Sequence, residues 1–255
     1  MNAAMYKVLS GAMAQMRRLE VVSQNLANLN TSGYKGESLA FTEILAGASS
    51  STMPRSGGEE ERMGGMVVVG EQRIDFSQGE LQQTGNPFDL AIQGEGFFVI
   101  DTARGVRYTR QGTFTLSPNG TVVTPLGDSL LGESGPIRMV GEKMEVTPEG
   151  GVLLDGAEAD RIRVVRFANL LRLTREGQSL FRAPEGEAPE AASDPSTELR
   201  TGFRVLQGSL EQANVNPIEA MVTLITVQRQ FEAYERALRT MDAAAEKMTM
   251  DGARI

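Results

Sequence analysis

The sequence predicts a mixed α and β fold, with a discontinuous, coiled-coil-like helical domain built from both chain ends and a central all-β domain between them. Three observations carry that expectation. Apolar residues recur at helical spacing near the N-terminus, they recur in unbroken heptads near the C-terminus, and short β-rich runs punctuated by glycine fill the middle.

The first zone covers residues 1–45. Met5, Leu9, Ala12, Met16, Leu19, Val22, Leu26 and Leu29 step by 4, 3, 4, 3, 3, 4 and 3, close to a coiled-coil period. Gly33 is expected just beyond the helix end. The segment leading to it, "VVSQNLANLNTSGYK", is rich in amides. Short polar side chains bond to nearby backbone and favour helix ends over interiors. Asn25 and Asn28 flank the apolar stripe, where an amide either fixes register or is simply solvated.

Residues 46–85 read as a linker followed by an extended or β connector. Its first part, "AGASSSTMPRSGGEEERMGG", buries too little apolar surface to order alone. The central β domain is expected over 86–205. "DLAIQGEGFFVID", "RYTRQGTFTLSPNGTVVT", "MEVTPEGGVLLDG" and "RIRVVRF" are short strand-like runs, and "SPNG" should turn "TFTL" into "TVVT" as a hairpin. The Pro/Ala/Glu-rich stretch 183–200 reads as a loop.

The C-terminal zone, 206–255, pairs with the first. Asn216 is placed as N-cap, Pro217 at the first helical position and Glu219 in the first turn. Ala220, Leu224, Val227, Phe231, Tyr234, Leu238, Met241, Ala245 and Met248 then form a seam with steps of 4 and 3. Ile218, Met221 and Ile225 add a second apolar stripe, so this helix needs more than one neighbour.

Composition removes several function classes. There are no cysteines and no histidines, which excludes disulfides, thiolate chemistry and the commonest general base. A net charge of −8 argues against nucleic acid. The terminal zones are nearly neutral, +1 and −2, leaving −7 between them. No apolar run is long enough for membrane insertion, and no cleavable signal is visible.

Apparent chemical motifs read as structure. "GEGFF" has Val99 where a dinucleotide loop needs its third glycine, so a tight strand-initiating turn is expected. "DGAEAD" at 155–160 lacks calcium-loop spacing and reads as a solvated turn. Ser32 and Lys35 mimic a Ser-x-x-Lys dyad but read as helix-end polar residues. Arg229, Arg236 and Arg239 alternate with Glu232 and Glu235 on a solvated face. No catalytic, cofactor or metal residues are therefore assigned. Two apolar helical ends around a β domain suit a subunit whose repeated contacts build a filament. The rival reading, a hydrolase or sugar-binding β protein, needs a pocket of converging polar groups.

Three blocks resemble a known family. "SQNLANLNTSGYK" is similar to the N-terminal signature of the flagellar rod, hook and hook-associated axial proteins. "TGNPFDLAIQGEGFFVI" with "RYTRQGTFTLSPNGTVVT" resembles their β-domain motif, and "QGSLEQANVNPIEAMVTLITVQRQFEAYERALRTMDA" their C-terminal helix. Asn25, Leu26, Asn28 and Thr31 fit the first motif, and Asn86, Asp89, Gly94, Gly96 and Phe97 the second. Length and "GDSLLGESGPI" are most similar to proximal-rod members, with distal-rod members next. A non-flagellar filament or phage-tail component is the remaining alternative.

The resemblance implies a structural subunit of the basal-body rod, located in the periplasm. It also implies export by the flagellar type III apparatus and assembly with copies of itself and other rod proteins. The paired helices would line the inner tube and the β domain would form the outer layer. The expected assembly interface is Leu19, Val22, Asn25, Leu26, Asn28, Ala220, Leu224, Val227, Phe231, Tyr234, Leu238 and Met241.

Overall fold

The computed structural model describes residues 2–44, 66–139, 141, 143–184, 186, 189–192 and 202–252. The expected linker 46–65 lies outside the described residues, as does 193–200 of the expected loop. The chain forms two compact units. One comprises Met1–Leu26, Glu37–Arg73 and Asn216–Ile255, and the other Ala27–Gly36 and Ile74–Val215. The mixed fold with helices at both ends and β structure between is the one expected. The unit limits differ from the expected 45, 86 and 206. Residues 27–36 and 206–215 belong to the β unit, where Gly33 and Lys35 bond to Glu211 and where Phe203–Gln207 and Ser209–Glu211 find their strand partners.

The helical unit contains α1 (Asn2–Ala27), β1 (Glu37–Ile44), β2 (Met66–Ile74) and α2 (Pro217–Gly252), with β1 and β2 paired as a two-stranded sheet. The start of α2 is the expected one. Asn216 accepts from the backbone N–H of Ile218 (3.0 Å) and Glu219 (3.4 Å), satisfying two donors that the first turn leaves free. Pro217 opens the helix, where its missing N–H costs nothing.

Along α2 the covered side is the predicted seam. Ala220 and Val227 are buried and Leu224, Phe231, Tyr234, Leu238 and Met241 half-buried, while Thr226, Arg229, Glu232, Glu235 and Arg239 are exposed. The first helix departs from expectation. It ends at Ala27, before the amide-rich segment closes. Met5, Leu9 and Met16, expected on its seam, are exposed, and the buried positions are Gly11, Ala12, Ala14, Val21 and Val22. Small residues replace large ones there because a neighbour comes close: a Cβ on Gly11 would sit 2.6 Å from the Tyr234 ring.

The β unit is built from β3 (Leu81–Gln83), β4 (Leu90–Gly94), β5 (Phe97–Thr102), β6 (Gly105–Thr109), β7 (Thr115–Leu116), β8 (Val122–Val123) and β9 (Ser129–Leu130). It continues with β10 (Met144–Val146), β11 (Gly151–Leu154), β12 (Ala157–Arg161), β13 (Val164–Arg166), β14 (Thr174–Glu176), β15 (Leu180–Arg182), β16 (Glu190–Ala191), β17 (Phe203–Gln207) and β18 (Ser209–Glu211). The main sheet runs β14-β15-β6-β5-β9-β8-β7, with β13 and β16 branching from β5. The β7–β8 hairpin turns at Ser117–Gly120 as predicted, with Thr115 facing Val123. The expected loop 183–200 contains β16, whose Glu190 and Ala191 pair with Arg166 and Val165.

Strand β5 explains why "FFVI" is apolar without alternation. Phe98 and Ile100 enter one core with Leu90, Ile92, Phe114 and Leu130. Phe97 and Val99 enter a second core with Tyr108, Phe167 and Phe181. Successive side chains of a strand point to opposite faces, so a strand buried on both faces reads as a continuous apolar run. Phe97 anchors the second core by edge-on contacts to Phe76, Phe167 and Phe181 at 5.7 to 6.0 Å.

Candidate functional site

Two features of the described residues go beyond ordinary packing. The first is exposed apolar surface on both terminal helices. Met5, Tyr6, Leu9, Met13 and Met16 lie on one side of α1, separated by helical steps, and Tyr6 and Met13 are 65% and 63% exposed. Ile218, Met221, Val222 and Ile225 do the same on α2, where Ile218 is 74% exposed. The Ile218, Met221 and Ile225 stripe is legible from spacing. The α1 stripe is not, since the spacing places Met5, Leu9 and Met16 on the seam and leaves Tyr6 and Met13 unmarked. Contiguous exposed apolar surface of this kind marks interaction sites.

The second feature is a buried ionic cluster in the β unit. Lys35 Nζ donates to Glu211 Oε1 and to the carbonyl of Ser77, both at 2.6 Å. Gly79 N–H donates to the same carboxylate oxygen at 2.9 Å. Arg110 reaches Glu211 Oε2 at 3.3 Å and the carbonyls of Ile92 and Gly94 at 3.2 and 2.7 Å. All three ionic side chains are buried, and among their described donors Arg110 Nε is left without a hydrogen-bond partner. Burial pulls the Lys35 ammonium and the Arg110 guanidinium below their ordinary pKa values, against the opposing attraction of Glu211.

The cluster sits where the β unit receives its separate chain segments. Gly33 N–H donates to the Glu211 carbonyl at 2.7 Å, with Gly33 in the left-handed region at φ +67°. A Cβ there would come within 2.2 Å of the Arg110 backbone, so only glycine fits. Asn214 completes the junction. Its amide accepts from Gly36 N–H and donates to the carbonyls of Asp75 and Ser77. Segments ending at 36, starting at 74 and ending at 215 are thereby tied together.

The motif residues fall as follows. Ser32 and Lys35 do not meet; Ser32 shares a hydrogen bond with Thr113 at 2.8 Å. Lys35, expected as a helix-end polar residue, is instead fully buried. Sequence reasoning missed it because its partner lies 176 positions away. "GEGFF" forms the expected tight turn between β4 and β5, with Gly94 and Gly96 both at positive φ. In "DGAEAD", Asp155 and Gly156 make the turn between β11 and β12, and Asp160 accepts from the N–H groups of Ser134 and Arg161. Among the described residues no group of three or more carboxylates is placed to hold a metal. No helix there is long and apolar enough to cross a membrane.

The expected interface residues divide. Ala220, Leu224, Val227, Phe231, Tyr234, Leu238 and Met241 lie on the covered side of α2, and Val22, Leu19 and Leu26 are buried or half-buried on α1. The two amides have local roles. Asn25 exchanges two hydrogen bonds with the Glu37 backbone, at 2.8 and 3.0 Å, pinning β1 to α1. Asn28 is buried and accepts from the Thr31 side chain, while its carbonyl accepts from Thr31 N–H.

Three family models match this chain. "Flagella basal body rod protein" matches residues 5–35, "Flagellar hook protein FlgE/F/G D1 domain" residues 91–156, and "Flagellar basal body rod FlgEFG protein C-terminal" residues 206–249. Lys35, Arg110 and Glu211 supply one residue from each matched segment. Among curated relatives, the flagellar basal-body rod protein FlgF of Caulobacter vibrioides is 34% identical over 96% of this chain and 95% of its own length. The FlgF of Mesorhizobium japonicum is 30% identical over 97% and 96%. The rod protein FlgG of Borreliella burgdorferi is 32% identical over 95% and 96%.

Proposed function

From the premise that the chain belongs to the flagellar basal-body rod protein family, we propose that it is the proximal-rod subunit of the flagellum. The family is structural rather than enzymatic, and its members are subunits of the basal-body rod. The proximal position is the finer reading. It is supported by full-length similarity to FlgF proteins and by the "GDSLLGESGPI" segment.

The observation that carries the assembly mode is the exposed apolar stripe on each terminal helix. The seam residues Leu19, Val22, Leu26, Ala220, Leu224, Val227, Phe231, Tyr234, Leu238 and Met241 hold each helix within the subunit. The stripes of Met5, Tyr6, Leu9, Met13 and Met16 and of Ile218, Met221, Val222 and Ile225 meet other subunits of the rod. Asn25 and Asn28 shape the helix end that presents them. Helical contacts that do not close on themselves yield the tube of the rod. Copies of this chain and other rod proteins are its partners, and the flagellar type III apparatus delivers it.

The axial position is tested in a strain arrested before the distal rod is laid down. A tagged chain should co-purify with the truncated rod. Its appearance only after the distal rod is complete would place it distally instead.

A further inference from the structure

We propose that Met5, Met13 and Met16 of α1 and Met221 of α2 are oxidation sites through which a peroxide blocks entry of the free subunit into the rod. The proposal rests on the rod-subunit reading for its consequence. Of the methionines whose burial is described, these four are exposed, by 44%, 63%, 50% and 51%, and all four lie on the outward stripes. Met139 and Met241 are half-buried and Met144 is buried. The chain has no cysteine, so methionine thioethers are its only sulfur.

The thioether Sδ attacks one oxygen of the peroxide and the O–O bond breaks. The sulfur is oxidised by two electrons to a sulfoxide, and the proton on the transferred oxygen passes to the departing hydroxide, which leaves as water. The product is polar where the thioether was flexible and apolar. On α1, Met5, Met13 and Met16 follow one another by helical steps through Leu9, so three modifications fall on one face. A sulfoxide pressed against a neighbouring subunit without a donor carries the cost of an unmatched buried polar group. Contacts inside the subunit are spared, because the buried residues Ala12, Ala14, Val22 and Val227 carry no sulfur and the seam methionine, Met241, is half-covered. Oxidation therefore alters the outward face and leaves the helices in place.

The test has two arms. In the first, the purified full-length chain is treated with hydrogen peroxide, and oxygen uptake at each methionine is followed by peptide mass spectrometry. Met5, Met13, Met16 and Met221 should be oxidised at least threefold faster than Met139, Met144 and Met241, with the helical circular dichroism unchanged. Equal rates, or loss of the helical signal, would overturn the sites. The second arm uses cells lacking methionine sulfoxide reductases. There the wild-type chain and a copy carrying the volume-conserving changes Met5→Leu, Met13→Leu, Met16→Leu and Met221→Leu accumulate under distinct tags before export is switched on. A hydrogen peroxide pulse is quenched before export begins. It should lower the ratio of wild type to leucine copy in basal bodies at least threefold. Sulfoxide at the four positions should also be at least tenfold scarcer in assembled wild-type chains than in the remaining free pool. Equal sulfoxide content in assembled and free chains would overturn the block, whether or not the leucine copy assembles. Absence of the wild-type chain from basal bodies without peroxide would sink the rod reading instead, and the first arm would still decide the oxidation sites.

Discussion

Lys35 and Glu211 are 176 positions apart in the chain, and their charged atoms lie 2.6 Å apart in the interior of the β unit. Glu211 is the sole carboxylate bonded to both Lys35 and Arg110 among the described residues, so the three contribute unequally. Removing the shared anion strands two buried cations, whereas removing Lys35 leaves Glu211 paired with Arg110. Glu211→Gln should therefore cost about 3–5 kcal/mol, the usual penalty for an uncompensated buried charge. Lys35→Met should cost clearly less. Urea unfolding of the full chain checks the order, and equal losses would contradict the shared-anion account.

The same lysine sets a pH dependence. Burial holds Lys35 below the ordinary lysine value of 10.5. Between its lowered value and 10.5 the unfolded chain binds more protons than the folded chain, so this group makes stability rise with pH in that window. Below the window both states are charged and its contribution is flat. Wild type should thus gain on Lys35→Met as pH climbs toward 10.5. A stability gap that moves the other way would show that the attraction of Glu211 outweighs burial.

Gly11 tests the helix pairing. With its Cβ position 2.6 Å from the Tyr234 ring, Gly11→Val cannot be accommodated unless the ring moves. Faster hydrogen exchange in α2 around Tyr234 is expected, although valine is by itself a better helix former than glycine. Tyr234→Ala in the same chain should restore part of the protection. Unchanged exchange in Gly11→Val would mean that the contact does not hold the helices.

Those residues also show what the sequence discloses. The α2 seam was legible because its apolar residues recur without interruption on a face flanked by charges, and the Asn216–Pro217 start carries its own local chemistry. The α1 stripe was misread because periodicity identifies an apolar face but not its partner. On α1 the large residues Met5, Leu9 and Met16 face outward while Gly11 and Ala12 take the close contact. The buried cluster was illegible for a different reason: a lysine and a glutamate have no local pattern that announces a partner so distant in sequence. Strand β16 escaped because two residues in an acidic stretch carry no periodicity, and only pairing with β13 defines them. The unit limits were displaced because residues 206–215 adjoin a strong helix start, and that start masked two short strands.

The central claim is that the outward stripes of α1 and α2 are the surfaces that meet other rod subunits. The chain has no cysteine, so one introduced thiol reports on one position. Met13→Cys and Val222→Cys lie on the two exposed stripes. The measurement is maleimide labelling of each variant as purified monomer and within isolated basal bodies. Rapid labelling of the monomer and protection in the basal body, at least tenfold at both positions, is the predicted result. Equal labelling in the two states would contradict the claim and move the assembly contacts elsewhere on the subunit.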